Sequence, residues 1–421
     1  MFEIAVVCLV VTALLAYANA KFVGLPTTIG VMVIALLLSL GLAGLDALGY
    51  SALHRYETAL IKSIDFSEVL MQGMLSMLLF AGALHVDISQ LRAYRWQIAV
   101  LAVFGTLLST IVVGYALWWL LPWMGIELPL IYCLIFGALI SPTDPVAVMG
   151  ILKSAGTSED VGMVVSGESL FNDGVGVVLF SLLLTVALRG EAPTMTEGAM
   201  LLAREAGGGL LLGGAIGLLL FFMLRSLDNY IVEVLLTLAA VLGGYELATY
   251  LHVSGPLAMV VVGVMIGNHG RSLAMSDTTR KHVDLFWELL DEILNAVLFV
   301  LIGLEFAIIA FPGNGLLAAV AVIAIVLFAR FLTVGLPVAA MPRWFKLPAS
   351  GWKILTWGGL RGGISVALAL SLPAGPNRDL ILALTYAVVV FSILVQGLTI
   401  KRLAASGRTQ PVAETPTSSE Q

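Results

Sequence analysis

Runs of about 20 apolar residues, repeated along the whole chain, are the feature that most constrains this sequence, because that helical length crosses a hydrocarbon layer of roughly 30 Å. Thirteen such segments fall at approximately 2–20, 23–44, 66–86, 96–121, 128–152, 160–187, 200–224, 230–251, 254–268, 283–311, 314–341, 351–373 and 380–400 of the 421 residues. In lipid, a spanning backbone must satisfy its own polar groups, which leaves helices or closed barrels. Barrel strands would alternate polar and apolar residues, and these runs do not. The expected fold is therefore an all-α polytopic membrane protein of about 13 transmembrane helices. With 60% hydrophobic and 11% charged residues, against roughly 45–50% and 25% in soluble domains, an ordinary water-soluble enzyme is excluded. The ninth segment is short. The tenth opens with an amphipathic stretch, Phe286 to Asn295, that carries Glu288, Asp291 and Glu292.

Cytoplasmic loops carry the excess of Lys and Arg. Placing the N-terminus outside and the C-terminus in the cytoplasm puts 14 of the 21 Lys and Arg in cytoplasmic connections and five outside, with Arg330 and Arg361 inside segments. Ala18-Asn19-Ala20 resembles a signal-peptidase site, but the preceding stretch holds Glu3 and no Lys or Arg, so cleavage is not expected. Cys8 and Cys133 lie in apolar runs and offer no disulfide framework or metal cluster. The net charge of -6 is spread over many loops and implies no nucleic-acid partner. The Ser-, Thr-, Pro- and Glu-rich tail after about residue 404 is expected to be disordered.

Ionisable residues in mid-bilayer cost about 2.5–3.5 kcal/mol each even on the lenient insertion scale, so they are functional candidates by default. In the fifth segment Ser141-Pro142-Thr143-Asp144-Pro145 interrupts the apolar run. Pro142 and Pro145 supply no N–H to the carbonyls of Ala138 and Ser141, and Pro145 turns Asp144 away from helical geometry. The helix is predicted to break there, leaving free carbonyls beside a carboxylate, an arrangement tolerated only in protein or along a cavity. In the sixth segment Ser166, Ser169 and Asp173 form one strip and Glu168 and Asn172 the next. Oxygen ligands of this kind suit a hard monovalent cation, and low dielectric lets a carboxyl hold either a proton or a metal ion. In the twelfth, four glycines surround Arg361 in Gly358-Gly359-Leu360-Arg361-Gly362-Gly363, allowing unwinding or close packing. A buried guanidinium needs an anionic partner, and Glu168 is the candidate. Arg330 has no motif around it and is read as a structural pair or a snorkelling side chain.

If segments 1–6 and 8–13 are repeats joined by segment 7, the two interrupted segments occupy the fifth position of each half and run in opposite senses. Discontinuous helices in corresponding positions of inverted repeats mark a transporter's midplane site. The expected organisation is a single transmembrane domain over 1–403, with two inverted six-helix repeats of about 1–187 and 230–403, a linker helix at 200–224, and helices 5 and 12 crossing near the membrane midplane.

The strings SPTDPVAV (Ser141 to Val148), GESLFNDG (Gly167 to Gly174) and GGLRGGISVALAL (Gly358 to Leu370) resemble those of the monovalent cation:proton antiporters of the NhaP and NHE type. The resemblance implies that Asp173 is the carboxylate bound alternately by Na⁺ and a proton, with Asp144, Thr143 and Ser169 around the ion. Asn172, standing where an electrogenic branch has a second Asp, implies electroneutral exchange. Glu168 and Arg361 match a structural ion pair. Many relatives carry a Glu in the third helix where Leu79-Phe80-Ala81-Gly82-Ala83 offers only Ala81, a departure that bears on the ligand set. The resemblance also implies a homodimer.

The function expected from the sequence is exchange of a monovalent cation, Na⁺ first with Li⁺ or K⁺ as alternatives, for protons by competition at Asp173. A bacterial inner membrane is the expected location, and no cofactor is expected. A cation channel would need a continuous pore with several weak sites. An intramembrane hydrolase would need a nucleophile or metal motif, and neither HExxH nor GxSxG occurs.

Overall fold

The computed structural model describes residues 2–48, 73–145, 148–150, 152, 159–189, 195–306, 314–348 and 351–406. Their regular structure is entirely helical. Of the tail expected to be disordered after about residue 404, the first residues continue a helix to Ser406; the rest of it and the first residues of the third segment lie outside the described residues. In chain order the helices are α1 (Phe2–Ala18, prolonged by a π-turn to Val23), α2 (Thr27–Ala47), α3 (Leu75–Leu84), α4 (Arg95–Met124), α5 (Leu130–Ile140), α6 (Glu159–Arg189) and α7 (Thr196–Arg225). After these come α8 (Tyr230–Leu251), α9 (Gly255–Gly270), α10 (Asp277–Phe306), α11 (Gly315–Ala340), the half-helices α12a (Gly351–Trp357) and α12b (Gly363–Leu370), and α13 (Pro376–Ala404). Eight described helices are long and apolar enough to cross a membrane, and α3, α5 and α9 are shorter apolar helices. The Ala18-Asn19-Ala20 sequence is built into a helix; Asn19 is buried and its amide donates to Leu25 O at 2.8 Å.

Both expected interruptions are present. α5 stops at Ile140, ahead of Pro142, and α12 is broken between Trp357 and Gly363. The breaks meet, since Asp144 N donates to Leu360 O at 2.7 Å. Elsewhere helix starts follow ordinary capping chemistry: Asn229 Oδ1 accepts from Ile231 N at 3.1 Å to open α8, and Ser254 Oγ accepts from Leu257 N at 3.3 Å to open α9.

Helices α4, α5, α6, α11, α12b and α13 pack on one another around Ile135, Phe136, Phe180, Val322 and Leu384. A second group, α3, α7, α8, α9 and α10, closes around Phe80, Met259 and Trp287, and α2 lies along α10. Exchanging α1–α6 for α8–α13 maps the α2/α10 contact onto α9/α3, α4/α5 onto α11/α12a, and α5/α6 onto α12b/α13. Each of these contacts thus has a counterpart in the other half of the chain. The exchanged helices α4 and α11 also carry π-turns, Val100–Gly105 and Phe331–Gly335, that touch each other.

Two of these contacts are equally close. A Cβ on Gly303 of α10 would stand 2.8 Å from both Met32 O and Ala35 Cβ of α2; one on Gly263 of α9 would stand 2.8 Å from Phe80 O and 2.6 Å from Ala83 Cβ of α3. Small residues that bring backbones together supply much of helix association in lipid, where no hydrophobic drive acts between helices. Gly263→Ala and Gly303→Ala are each expected to cost about 1–3 kcal/mol by overpacking, read as a lower unfolding midpoint in mild detergent. Gly41→Ala, whose added Cβ meets nothing within 4 Å, is expected to leave the midpoint unchanged; equal falls in all three would show that the close contacts are not the cause.

Candidate functional site

The site grows out of the crossing of the two breaks. Pro145 withholds the N–H that Ser141 O would have received in a continuous helix. That carbonyl accepts instead from Arg361 Nη1, which also reaches Pro142 O at 3.0 Å. Ser392 Oγ accepts from Arg361 N at 2.8 Å, holding the unwound stretch against α13. Ser141 Oγ donates to Gly137 O at 2.6 Å and lies 3.0 Å from Ser109 Oγ of α4. At Gly362 a Cβ would sit 2.7 Å from the Asp144 side chain, so only glycine lets the second break lie so close to the first.

α6 supplies the polar wall. Glu168, Ser169, Asn172 and Asp173 are all buried. The Asn172 side chain clasps Thr143, accepting from its N–H at 3.3 Å and donating to its Oγ1 at 2.9 Å; Thr143 Oγ1 lies 2.8 Å from Ser169 Oγ. Asn172 Nδ2 also donates to Glu168 Oε1 at 3.2 Å.

The partner of Glu168 is a correction to the sequence reading. Arg361 does not pair with it; all the hydrogen bonds of the Arg361 guanidinium go to carbonyls of the α5 break. Arg330 of α11 makes the pair, bidentate, with Nη1–Oε1 2.5 Å and Nη2–Oε2 2.8 Å, and Nη2 additionally donates to Leu355 O at 3.0 Å. The physical reason lies in competition for donors: the carbonyls exposed by the prolines claim Arg361 locally. Gly359 leaves the room through which Arg330 reaches Glu168, since a Cβ there would lie 2.5 Å from Arg330 Nε.

In front of this framework is a cavity of about 90 Å³, enough for a small ion with some water. Thr143, Asp144 and Asp173 line it, with Ser166 of α6 and Ser365 of α12b. Asp173 Oδ1 and Ser365 Oγ are buried without a hydrogen-bond partner among the described residues. Such orphaned oxygens are costly unless something binds them. Ser169 and Asn172 do not line the cavity; they stand behind Thr143 and orient it. Two residues of α10 that the sequence reading left in an amphipathic stretch do line it: Asp291, and Asn295, whose Nδ2 donates to Asp291 Oδ1 at 3.2 Å. Their signal was an acid and an amide four residues apart on a largely apolar helix. From α3 the lining residues are Leu78, Leu79 and Gly82, while Ala81 is buried off the cavity and its carbonyl lies 2.9 Å from His85 Nδ1.

Comparison with known proteins gives a consistent result. The family model described as "Sodium/hydrogen exchanger, transmembrane" matches residues 10–406. A protein named Na(+)/H(+) antiporter NhaP from Pseudomonas aeruginosa is 54% identical over 404 residues, covering 95% of both chains. The Na(+)/H(+) antiporter NhaH of Halobacillus aidingensis is 35% identical over 405 residues, covering 94% of this chain and 96% of its own. The sodium proton antiporter MjNhaP1 of Methanocaldococcus jannaschii superposes with a TM-score of 0.75 over 95% of this chain and 97% of its own, at 20% identity, a likeness of fold.

The pairing of Glu168 can be tested by stability. Arg330→Met alone leaves a buried carboxylate without its partner and is expected to cost about 3–5 kcal/mol, measured by thermal unfolding in detergent. Adding Glu168→Gln should restore most of the loss. Were Arg361 the true partner, Glu168→Gln would instead rescue Arg361→Met and leave Arg330→Met unrescued.

Proposed function

The chain belongs to the sodium/hydrogen exchanger family, and from that premise we propose that it is an antiporter in which one Na⁺ and one proton compete for Asp173 under alternating access. The observation that carries this reading is the buried, unpartnered Oδ1 of Asp173, a residue that lines a small, largely apolar cavity at the crossing of two broken helices. The set of oxygens from Thr143, Asp144, Asp173 and Ser365 suits a hard monovalent cation. Ser169 and Asn172 act in this reading by orienting Thr143, and Glu168–Arg330 by fixing α6 against α11.

Charge supports a 1:1, electroneutral cycle. Within the body of α4–α6 and α11–α13, Arg330 and Arg361 face three carboxylates, Glu168, Asp144 and Asp173. With all five ionised, one negative charge remains, which a single proton or a single monovalent cation cancels. With either one bound, these five central charges sum to zero, so the loaded site itself adds no net charge to move through the membrane field.

In our reading the protein lies in a bacterial inner membrane as a homodimer, N-terminus outside and C-terminus in the cytoplasm. Packing supports the charge-based orientation at one point: the loop with Arg92 and Arg95 and the loop with Arg343 and Lys346, both assigned to the cytoplasm, border one pocket. We further propose that Asp291 supplies, from α10, the carboxylate that α3 lacks in this chain. Asp291 and Gly82 of α3 both line the cavity, and a Cβ on Gly82 would meet nothing within 4 Å.

Cation-induced proton movement in sealed proteoliposomes, with Na⁺, Li⁺ and K⁺ offered in turn, tests the site. Wild type is expected to respond saturably, and Asp173→Asn to be inactive; transport by Asp173→Asn at the wild-type rate would overturn the assignment. Clamping the membrane potential at different values should leave the rate unchanged. Competition predicts that acidification raises the apparent KM for Na⁺, by up to about tenfold per pH unit where protons dominate the site, with the maximal rate preserved. For Asp291→Asn the expected result is a rise of about tenfold or more in KM for Na⁺ with transport retained; an unaltered KM would remove Asp291 from the ligand set.

A further inference from the structure

Away from the cavity, a pocket of about 450 Å³ opens between the start of α4 and the segment that follows α11. Arg92, Arg95, Arg343 and Lys346 line it together with Trp96 and Trp344, and among the described residues no carboxylate does. Among the described residues none of these four cations has an ion-pair partner. All four are exposed, and a pocket lined by one sign of charge draws in and concentrates anions.

The walls are preformed. Gln97, 6% exposed, donates from Nε2 to Trp344 O at 2.8 Å and so ties one wall to the other. Phe345 is fully buried beneath the second wall and packs edge-on against Trp344. Lys346 adopts the left-handed region, φ 55°, with its N–H on Pro342 O at 2.9 Å. A lysine is seldom found there, and the conformation fixes where its stem leaves the chain.

Depth identifies the anion. Arg95 is the first residue of spanning helix α4 and Ala340 the last of spanning helix α11, so the pocket lies at the junction of hydrocarbon and water. Trp96 and Trp344 are 65% and 41% exposed, as befits indoles at headgroup level. The same two helices expose Phe104 and Leu336 on their flanks. Guanidinium groups bind phosphate through paired N–H donors, and basic pockets at the ends of spanning helices suit anionic headgroups. We propose that this pocket binds the phosphate of an anionic phospholipid, with its chains running down the exposed faces of α4 and α11.

The test uses the full-length protein in neutral detergent, titrated separately with phosphatidylglycerol, phosphatidylcholine and inorganic phosphate. Bound lipid is counted by native mass spectrometry and stabilisation is followed by the unfolding midpoint. Wild type is expected to prefer phosphatidylglycerol to phosphatidylcholine by at least tenfold. The double variant Arg95→Gln/Arg343→Gln should lose that preference, whereas Arg225→Gln/Arg280→Gln, which removes two exposed cations elsewhere, should keep it. Unchanged lipid binding by the pocket variant overturns the proposal, as does an equal loss in both variants, which would mean diffuse surface attraction. Stabilisation by inorganic phosphate equal to that by the lipid would mean a free-anion site and overturn the lipid assignment. If the glutamine variant unfolds early without lipid, Arg95→Lys/Arg343→Lys replaces it; retained preference with weaker binding is then expected, and wild-type binding counts against the pocket.

Discussion

The architecture turns on a rule of backbone chemistry: inside a membrane every carbonyl that loses its helical donor must find another within the protein. Two prolines in five residues open α5, and the chain answers with a guanidinium and with the backbone of the other broken helix. Arg361 closes Ser141 O and Pro142 O, and Leu360 O receives Asp144 N. Each break thus satisfies the other, which is why the two cross in contact and why the acid between the prolines ends beside the acid of α6.

That division of labour departs from the linear reading, which gives Glu168 to Arg361 and leaves Arg330 as a structural pair or a snorkelling side chain. Arg361 serves backbone, Arg330 serves Glu168, and the glycines around Arg361 make space for both, one admitting Asp144 and another the Arg330 side chain. The polar groups form shells. Glu168 and Arg330 anchor the rear; Asn172 and Ser169 steady Thr143 in the middle; Asp144, Asp173 and Ser365 face the cavity. Rigid support behind a small set of oxygens keeps those oxygens poised in the absence of an ion, as selective binding requires.

Much of this could be read before any coordinates. The breaks followed from Pro142, Pro145 and the glycine cluster, the convergent strips of α6 from helical spacing, and the family from three strings of residues. What escaped was information that spacing along one helix does not contain. Nothing near Arg330 in the chain names α6 as its neighbour, so the pairing of Glu168 needed the packing of α11 against the rest. Asp291 and Asn295 escaped for a similar reason: a polar face on a helix is equally consistent with water, and only the position of α10 beside both bodies turns it toward the cavity.

The close contacts of Gly303 on Ala35 and of Gly263 on Ala83 carry a consequence for how two crossings of unlike sequence can have the same spacing. Under the internal exchange, Ala35 corresponds to Gly263 and Gly303 to Ala83, so the glycine sits on opposite partners in the two pairs. The combined side-chain volume at each crossing is the same, although neither residue matches its counterpart. A gap of that size limits the sum of the two side chains and leaves open which helix carries the methyl. What the two crossings share is a spacing between backbones, and it is a property of the pair that neither helix displays in its own sequence.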